Sequence, residues 1–175
     1  MERGYFYFSS RCVMTTVLVT KDYILADRLV DYGGTVKELP KLHKYKNKFV
    51  VYTGERVLDS DLWKTTIMSG AEKYLIEEKR TKVEEIFKDL IEKEQLFDQV
   101  IIFTAKETHW LGLLEGKFES RVLNKNTVWA TGSGQGFARA AWATGITEKN
   151  IIPLVGSIDT ASSQTYDLFY RKHLR

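Results

Sequence analysis

A chain of 175 residues with 43% hydrophobic and 13% aromatic content can bury a core as one domain, which excludes a disordered polymer. A net charge of +3, from 26 basic and 23 acidic residues spread among one another, leaves no basic stripe to grip nucleic acid. Cys12 is the single cysteine, and His43, His109 and His173 are scattered without metal-ligand spacing. No disulfide framework, metal site or cofactor is therefore expected, and a reducing compartment is favoured.

At the N-terminus, the aromatic stretch Tyr5–Phe8 is too short for a signal-peptide core. Residues 15–20 (TTVLVT) and 23–27 (YILAD) are β-branched or aromatic runs parted by Lys21-Asp22, which predicts two strands and a tight turn. Asp31 to Gly34 reads as a loop, and Pro40 argues against an uninterrupted strand there. Residues 48–53 (KFVVYT) predict a third strand ended by Gly54. Asp59, Ser60 and Asp61 are candidate N-caps for a helix whose apolar face is Leu62, Ile67, Ala71, Tyr74 and Leu75. In the next helix Val83, Ile86, Phe87, Leu90 and Ile91 repeat at i, i+3, i+4, i+7 and i+8, a stripe read as core packing against a sheet.

Strands follow at 99–105, 109–115, 118–123 and 127–132, divided by the turn-prone pairs Lys106-Glu107 and Gly116-Lys117 and by Asn124-Lys125-Asn126. The turn GSGQG (132–136) leads into a small-residue helix at 137–143, ended by Gly145, and Thr147-Glu148-Lys149 starts another. A last strand at 164–170 precedes the basic tail Arg171–Arg175. No apolar run approaches the ~20 residues of a membrane span, so the protein is expected in the cytoplasm with no membrane partner. The order is strands, two helices, strands, two helices, one strand. Two helical layers flanking stacked antiparallel sheets would bury every apolar face, an α+β solution.

Taken singly, the remaining features have ordinary explanations. Thr15 and Thr16 could be plain strand residues, and Lys41 belongs to a lysine-rich stretch with Lys37, Lys44, Lys46 and Lys48 that suits a solvated strand face. GSGQG before a helix could cradle phosphate, but it lacks the Walker lysine ending. Asp159 and Ser162 could cap a helix end. Trp110, Trp129 and Trp142 read as core or subunit-contact residues rather than base-stacking platforms.

Their joint spacing points elsewhere. Thr15-Thr16-Val17 with Leu25-Ala26-Asp27, Lys41-Leu42 with the strand Phe49–Thr53 and Gly54, Thr131–Gln135 with Phe137-Ala138, and Asp159-Thr160-Ala161-Ser162 ahead of a last strand resemble proteasome β subunits and the HslV peptidase, across about residues 15–171. The resemblance implies the Ntn-hydrolase fold, a four-layer αββα sandwich over 15–175, with 1–14 as an extension. It implies a threonine-type endopeptidase in which Thr15 is the nucleophile and Lys41 the adjacent lysine, with Lys37 and Lys44 close enough to contest the register. Asp27 would orient that lysine, Gly54 with Thr53 beside it would form the oxyanion and substrate-binding corner, and Ser133, Asp159 and Ser162 would surround the threonine amine. Glu55 beside the oxyanion glycine and Ser163-Gln164 after the aspartate-x-x-serine pair depart from the family pattern.

The chemistry explains why these residue types belong together. A threonine hydroxyl needs a base, and a terminal α-amine with a pKa of about 7.7–8.0 is suited to that role. A neighbouring ammonium lowers that pKa further, and a backbone N–H at the oxyanion is worth roughly 3–4 kcal/mol. An amide nitrogen cannot act as base, so Met1–Met14 must be absent for chemistry. Met14 before a small Thr15 suits methionine removal, and translation is expected to begin at Met14. Autolysis before Thr15 and a permanently blocked, inactive subunit are the other two outcomes, and an Ntn amidase acting on a small amide is a third class of function. The partners implied are a polypeptide substrate, further copies in a homo-oligomeric ring and an ATP-dependent unfoldase.

Overall fold

A computed structural model describes residues 15–32, 35–53, 61–93 and 98–174. The described residues form an α+β fold with eleven strands, four α-helices and a short 3-10 helix. The strands are β1 (Val17–Val19), β2 (Tyr23–Asp27), β3 (Leu29–Tyr32), β4 (Thr35–Glu38), β5 (Leu42–Tyr45) and β6 (Lys48–Thr53). After the helices α1 (Asp61–Tyr74) and α2 (Glu77–Glu92) come β7 (Gln99–Thr104), β8 (Thr108–Leu114), β9 (Lys117–Leu123) and β10 (Trp129–Thr131). Helices α3 (Gln135–Ala143) and α4 (Glu148–Ile158), strand β11 (Tyr166–Tyr170) and the 3-10 turn Arg171–Leu174 complete the chain.

Two antiparallel sheets carry the core. One runs β10-β1-β2-β11 and the other β5-β6-β7-β8-β9, with β3 and β4 forming a separate hairpin. Alternation along the strands sorts side chains into three apolar clusters. Val17, Val19, Ile24 and Ala26 meet Leu42, Phe49, Val51, Ile101 and Phe103, so the two sheets share one cluster. The intervening residues Leu18 and Leu25 pack instead with Ala138 and Ala141 of α3 and Ile151, Ile152 and Val155 of α4. Val50, Tyr52, Val100 and Ile102 pack with Ile67, Met68 and Ala71 of α1 and Val83, Phe87 and Ile91 of α2. Because β1, β2, β6 and β7 are covered on both faces, they read as continuous hydrophobic runs rather than as alternating ones.

Several expectations are revised. Asp31 and Tyr32, read as part of a loop, belong to β3, whose register with β4 pairs Leu29 with Glu38 and Tyr32 with Thr35, while Gly33 and Gly34 lie outside the described residues. Leu62 is 70% exposed and Ile86 is exposed too; Met68 joins the α1 face, and Val83, Phe87 and Ile91, with Leu90 partly buried beside them, fill the α2 stripe. The last strand begins at Tyr166 because Ser163 Oγ accepts the Thr165 N–H at 2.9 Å and turns the chain first. Gly145, at φ +79°, ends α3 as expected: its N–H reaches Trp142 O at 3.0 Å and the Ile146 N–H reaches Ala141 O at 3.1 Å, the paired bonds of a Schellman motif. Trp110 is buried, whereas Trp142 is exposed. The basic tail is anchored: Leu174 is buried, and the Arg171 guanidinium lies 3.9 Å from the Phe103 ring centre while donating to Lys21 O at 2.7 Å and Thr108 Oγ1 at 3.0 Å. Residues 1–14, Gly54 and Asp59-Ser60 lie outside the described residues. Among the described residues, no helix is long and apolar enough to cross a membrane.

Candidate active site

Pairing within the four-stranded sheet brings distant parts of the chain to one end. Val17 faces Ala26 of β2 on one side and Thr131 of β10 on the other, and Tyr166 of β11 faces Asp27. The start of β1, the end of β2, the turn after β10 and the segment before β11 therefore converge. The Asp27 N–H donates to Thr16 O at 3.0 Å, which continues the ladder past β1. From the second sheet, Lys41 reaches across just ahead of β5.

At the convergence the Lys41 ammonium donates to Thr15 Oγ1 at 2.8 Å and to Asp27 Oδ1 at 3.0 Å. Lys41 is 1% exposed and Asp27 0%, while Lys37 and Lys44 are exposed. Asp27 also accepts the N–H groups of Thr16 at 2.8 Å, Ser163 at 3.1 Å and Leu29 at 3.3 Å. Burial pushes the Asp27 carboxyl up, opposed by the Lys41 charge and the N–H donors. The same burial pushes the Lys41 ammonium below its ordinary value, opposed by Asp27. A cation that is costly to bury, held against a hydroxyl oxygen, lowers the cost of removing that hydroxyl's proton.

Beside this triad lies a second chain of groups. The Gly134 N–H donates to Thr16 Oγ1 at 3.0 Å, Thr16 Oγ1 and Ser162 Oγ are 2.7 Å apart, and Ser162 Oγ donates to Asp159 Oδ2 at 2.7 Å. The Ala161 N–H reaches the other Asp159 oxygen at 3.1 Å, and the Ser133 side chain is exposed. Burial raises Asp159, but the donors Ser162, Ser133 and Ala161 outweigh it and hold the carboxyl below its ordinary value. Asp159 follows the last residue of α4, so the helix-end reading and the site reading describe one position.

The glycines of the turn are required by this approach. Gly132 has φ +93°, and a Cβ there would fall 1.3 Å from the Thr15 carbonyl oxygen. A Cβ on Gly134 would fall 2.4 Å from Thr16 Oγ1 and 3.0 Å from Ser162 Oγ. The backbone of Gly132–Gly134 thus lies directly against Thr15 and Thr16.

Of the residues singled out in the sequence, Thr15, Asp27 and Lys41 come together through the Lys41 ammonium, and Asp159 and Ser162 are hydrogen-bonded to each other. Thr53 ends β6 buried, with its Oγ1 unpaired among the described residues and its carbonyl accepting the Asp98 N–H at 2.7 Å. Sequence reasoning gave no role to Thr16, the link between the two groups, or to Ser163, whose N–H bonds Asp27 and whose hydroxyl donates to Glu38 at 2.7 Å. The doublets Thr15-Thr16 and Ser162-Ser163 were the available signal. Among the described residues, no cluster of three or more His, Cys, Asp or Glu side chains could hold a metal.

No protein-family model and no curated protein matches the sequence. Solved structures do match its fold. HslV from Trypanosoma brucei superposes with a TM-score of 0.63 at 21% identity, over 89% of this chain and 98% of that one. Thiobacillus denitrificans BPH, solved in complex with epoxomicin, gives 0.59 at 13% identity over 89% and 96% of the two chains. A subunit of the helical assembly of the Anbu complex from Pseudomonas aeruginosa gives 0.51 at 12% identity over 89% and 80%. At such identities the likeness shows the fold alone: the chain has an α+β fold similar to that of HslV, BPH and the Anbu subunit.

Proposed function

We propose that this chain is a threonine-type endopeptidase whose nucleophile is Thr15, active once Thr15 is the first residue. The observation that carries this reading is the buried contact of the Lys41 ammonium with Thr15 Oγ1 at 2.8 Å and Asp27 Oδ1 at 3.0 Å. In the proposed reaction the free Thr15 amine takes the hydroxyl proton as Oγ1 bonds to the peptide carbonyl carbon. Lys41 stabilises the oxygen as it loses that proton, and the Gly54 N–H, with Thr53 beside it, receives the oxyanion. The tetrahedral intermediate expels the amine product with the transferred proton, and water hydrolyses the remaining ester. Asp27 holds Lys41, and Ser133, Asp159 and Ser162 orient the amine and the water.

The three apolar clusters support a four-layer αββα sandwich over residues 15–175 as its frame. The exposed Phe137 and Trp142 of α3 and Leu154 and Ile158 of α4 support further copies as partners in a closed assembly; the polypeptide substrate and the ATP-dependent unfoldase rest on the sequence resemblance alone. A second reading, a silent structural subunit, is favoured by the fourteen residues ahead of Thr15, which make its nitrogen an amide in the chain as written. N-terminal sequencing of protein made from its native gene, followed by an epoxyketone, separates the two. The peptidase reading expects Thr15 at the terminus and a covalent adduct that T15A abolishes. A free Thr15 that takes no adduct would establish the silent subunit.

A further inference from the structure

Thr16 is fully buried, and its hydroxyl is the only side-chain link between the nucleophile segment and the Ser162–Asp159 pair among the hydrogen bonds described. The direction of each proton in that link can be deduced. Asp159 is held below its ordinary pKa and so is an ionised acceptor, which commits the single Ser162 proton to Asp159 Oδ2. Ser162 therefore has no proton for Thr16, and across their 2.7 Å contact Thr16 is the donor. The Gly134 N–H, at 3.0 Å, occupies a lone pair of Thr16 Oγ1 and favours the same direction. One lone pair of Ser162 Oγ receives Thr16, and one remains.

We propose that Thr16 is a positioning residue: by donating to Ser162 Oγ it reinforces the direction that Asp159 sets for the Ser162 proton and keeps Ser162 Oγ as a hydrogen-bond acceptor for the Thr15 amine. This inference rests on the proposed peptidase reading and deepens it. An amine that donates an N–H to Ser162 turns its lone pair away from Ser162, which frees it to take the proton of Thr15 Oγ1. The charged groups of the site are Lys41, in contact with Thr15 Oγ1 and Asp27, and Asp159, in contact with Ser162. Ser162 transmits the effect of Asp159 only while its hydroxyl keeps the direction that Asp159 sets, and the Thr16 donor holds it there. Valine at position 16 keeps the branched shape and removes the donor; serine keeps the donor.

Two measurements on protein expressed from the full gene test this, with melting curves to check folding. The first follows Asp159 by carboxyl-carbon NMR and needs no catalysis. T16V should raise the Asp159 proton affinity by about tenfold as Ser162 is released, T16S should restore the wild-type value, and T16V/S162A should shift it no further than S162A. An Asp159 titration unmoved by T16V overturns the proposal. The second is epoxyketone labelling: T16V should slow the covalent step by about tenfold with inhibitor affinity unchanged, and T16S should recover it. Equal covalent rates in wild type and T16V also overturn it. If wild type takes no label, the peptidase reading falls and the Asp159 titration alone decides the role of Thr16.

Discussion

Replacing Lys41 with Met keeps the length of the stem and removes the charge from a position that is 1% exposed. The pair it breaks is buried on both sides, and removing one partner of such a pair costs about 3–5 kcal/mol. Asp27 keeps the N–H donors of Thr16, Ser163 and Leu29, which places K41M near the lower end, at about 3 kcal/mol. Asp27→Asn removes the charge that holds Lys41 and weakens the acceptor for those three N–H groups, so it falls toward the upper end, at about 5 kcal/mol. The double variant D27N/K41M no longer buries a lone charge and should lose less than the sum of the singles by about 2 kcal/mol.

The deficit of K41M also depends on pH, in a direction that can be worked out. Burial holds the Asp27 carboxyl above its unfolded value, further still without Lys41, so the folded state binds the extra proton. Stability then falls as pH rises from the unfolded carboxylate value through the raised folded one. Urea unfolding of wild type and K41M should therefore show a smaller gap at about pH 5 than at about pH 7.5. A K41M loss below about 1 kcal/mol, a strictly additive double variant or a gap that widens in acid would refute the reasoning.

Gly132→Ala should destabilise the fold by about 3 kcal/mol or more and abolish labelling of Thr15, because its Cβ meets the Thr15 carbonyl oxygen on a backbone with φ +93°. Gly136→Ala, where nothing lies within 4 Å and the residue is helical, should be neutral or raise stability by about 0.5–1 kcal/mol in the same melting assay. Burial lowers His43 to about 4, so the unfolded state binds its proton first and stability falls as pH drops from about 6.5 toward 4. His43→Phe, which keeps the stack on Tyr52, should remove about 1–2 kcal/mol of that acid-side loss after allowance for the partial exposure of the ring, read from urea midpoints across the range.

The parts of the fold that were legible in sequence are those where one physical signal dominates. Strand β6 was bounded to the residue at Lys48–Thr53, since a run of apolar side chains ends in a glycine. The α2 stripe was visible through its period, but the period alone could not tell that Ile86 stands outside the contact. Hairpin β3–β4 was hidden because its strands are only four residues each and flank a Gly-Gly pair, a local composition that reads as loop. Residues 164–165 looked like strand because Thr and Gln carry no stop signal; the stop is the hydroxyl of Ser163, a side chain acting as backbone acceptor.

The site divides along a similar line. Thr15, Asp27 and Lys41 each carry a chemical group whose need for the others can be stated from their types, and the geometry joins all three. The resemblance matched Lys41 but left the register open to Lys37 and Lys44, because all three share a polar stretch; in the fold Lys37 and Lys44 are exposed and Lys41 is buried against a carboxylate at 0% exposure. Thr16 was passed over for the opposite reason. A threonine in a strand needs no explanation until its hydroxyl is found buried between a glycine N–H and a serine more than a hundred residues away. What made it necessary is Gly134, whose missing side chain brings a backbone donor against a hydroxyl that must then turn its proton toward Ser162. A glycine and a threonine, each unremarked alone, become one device only when β10 is laid beside β1.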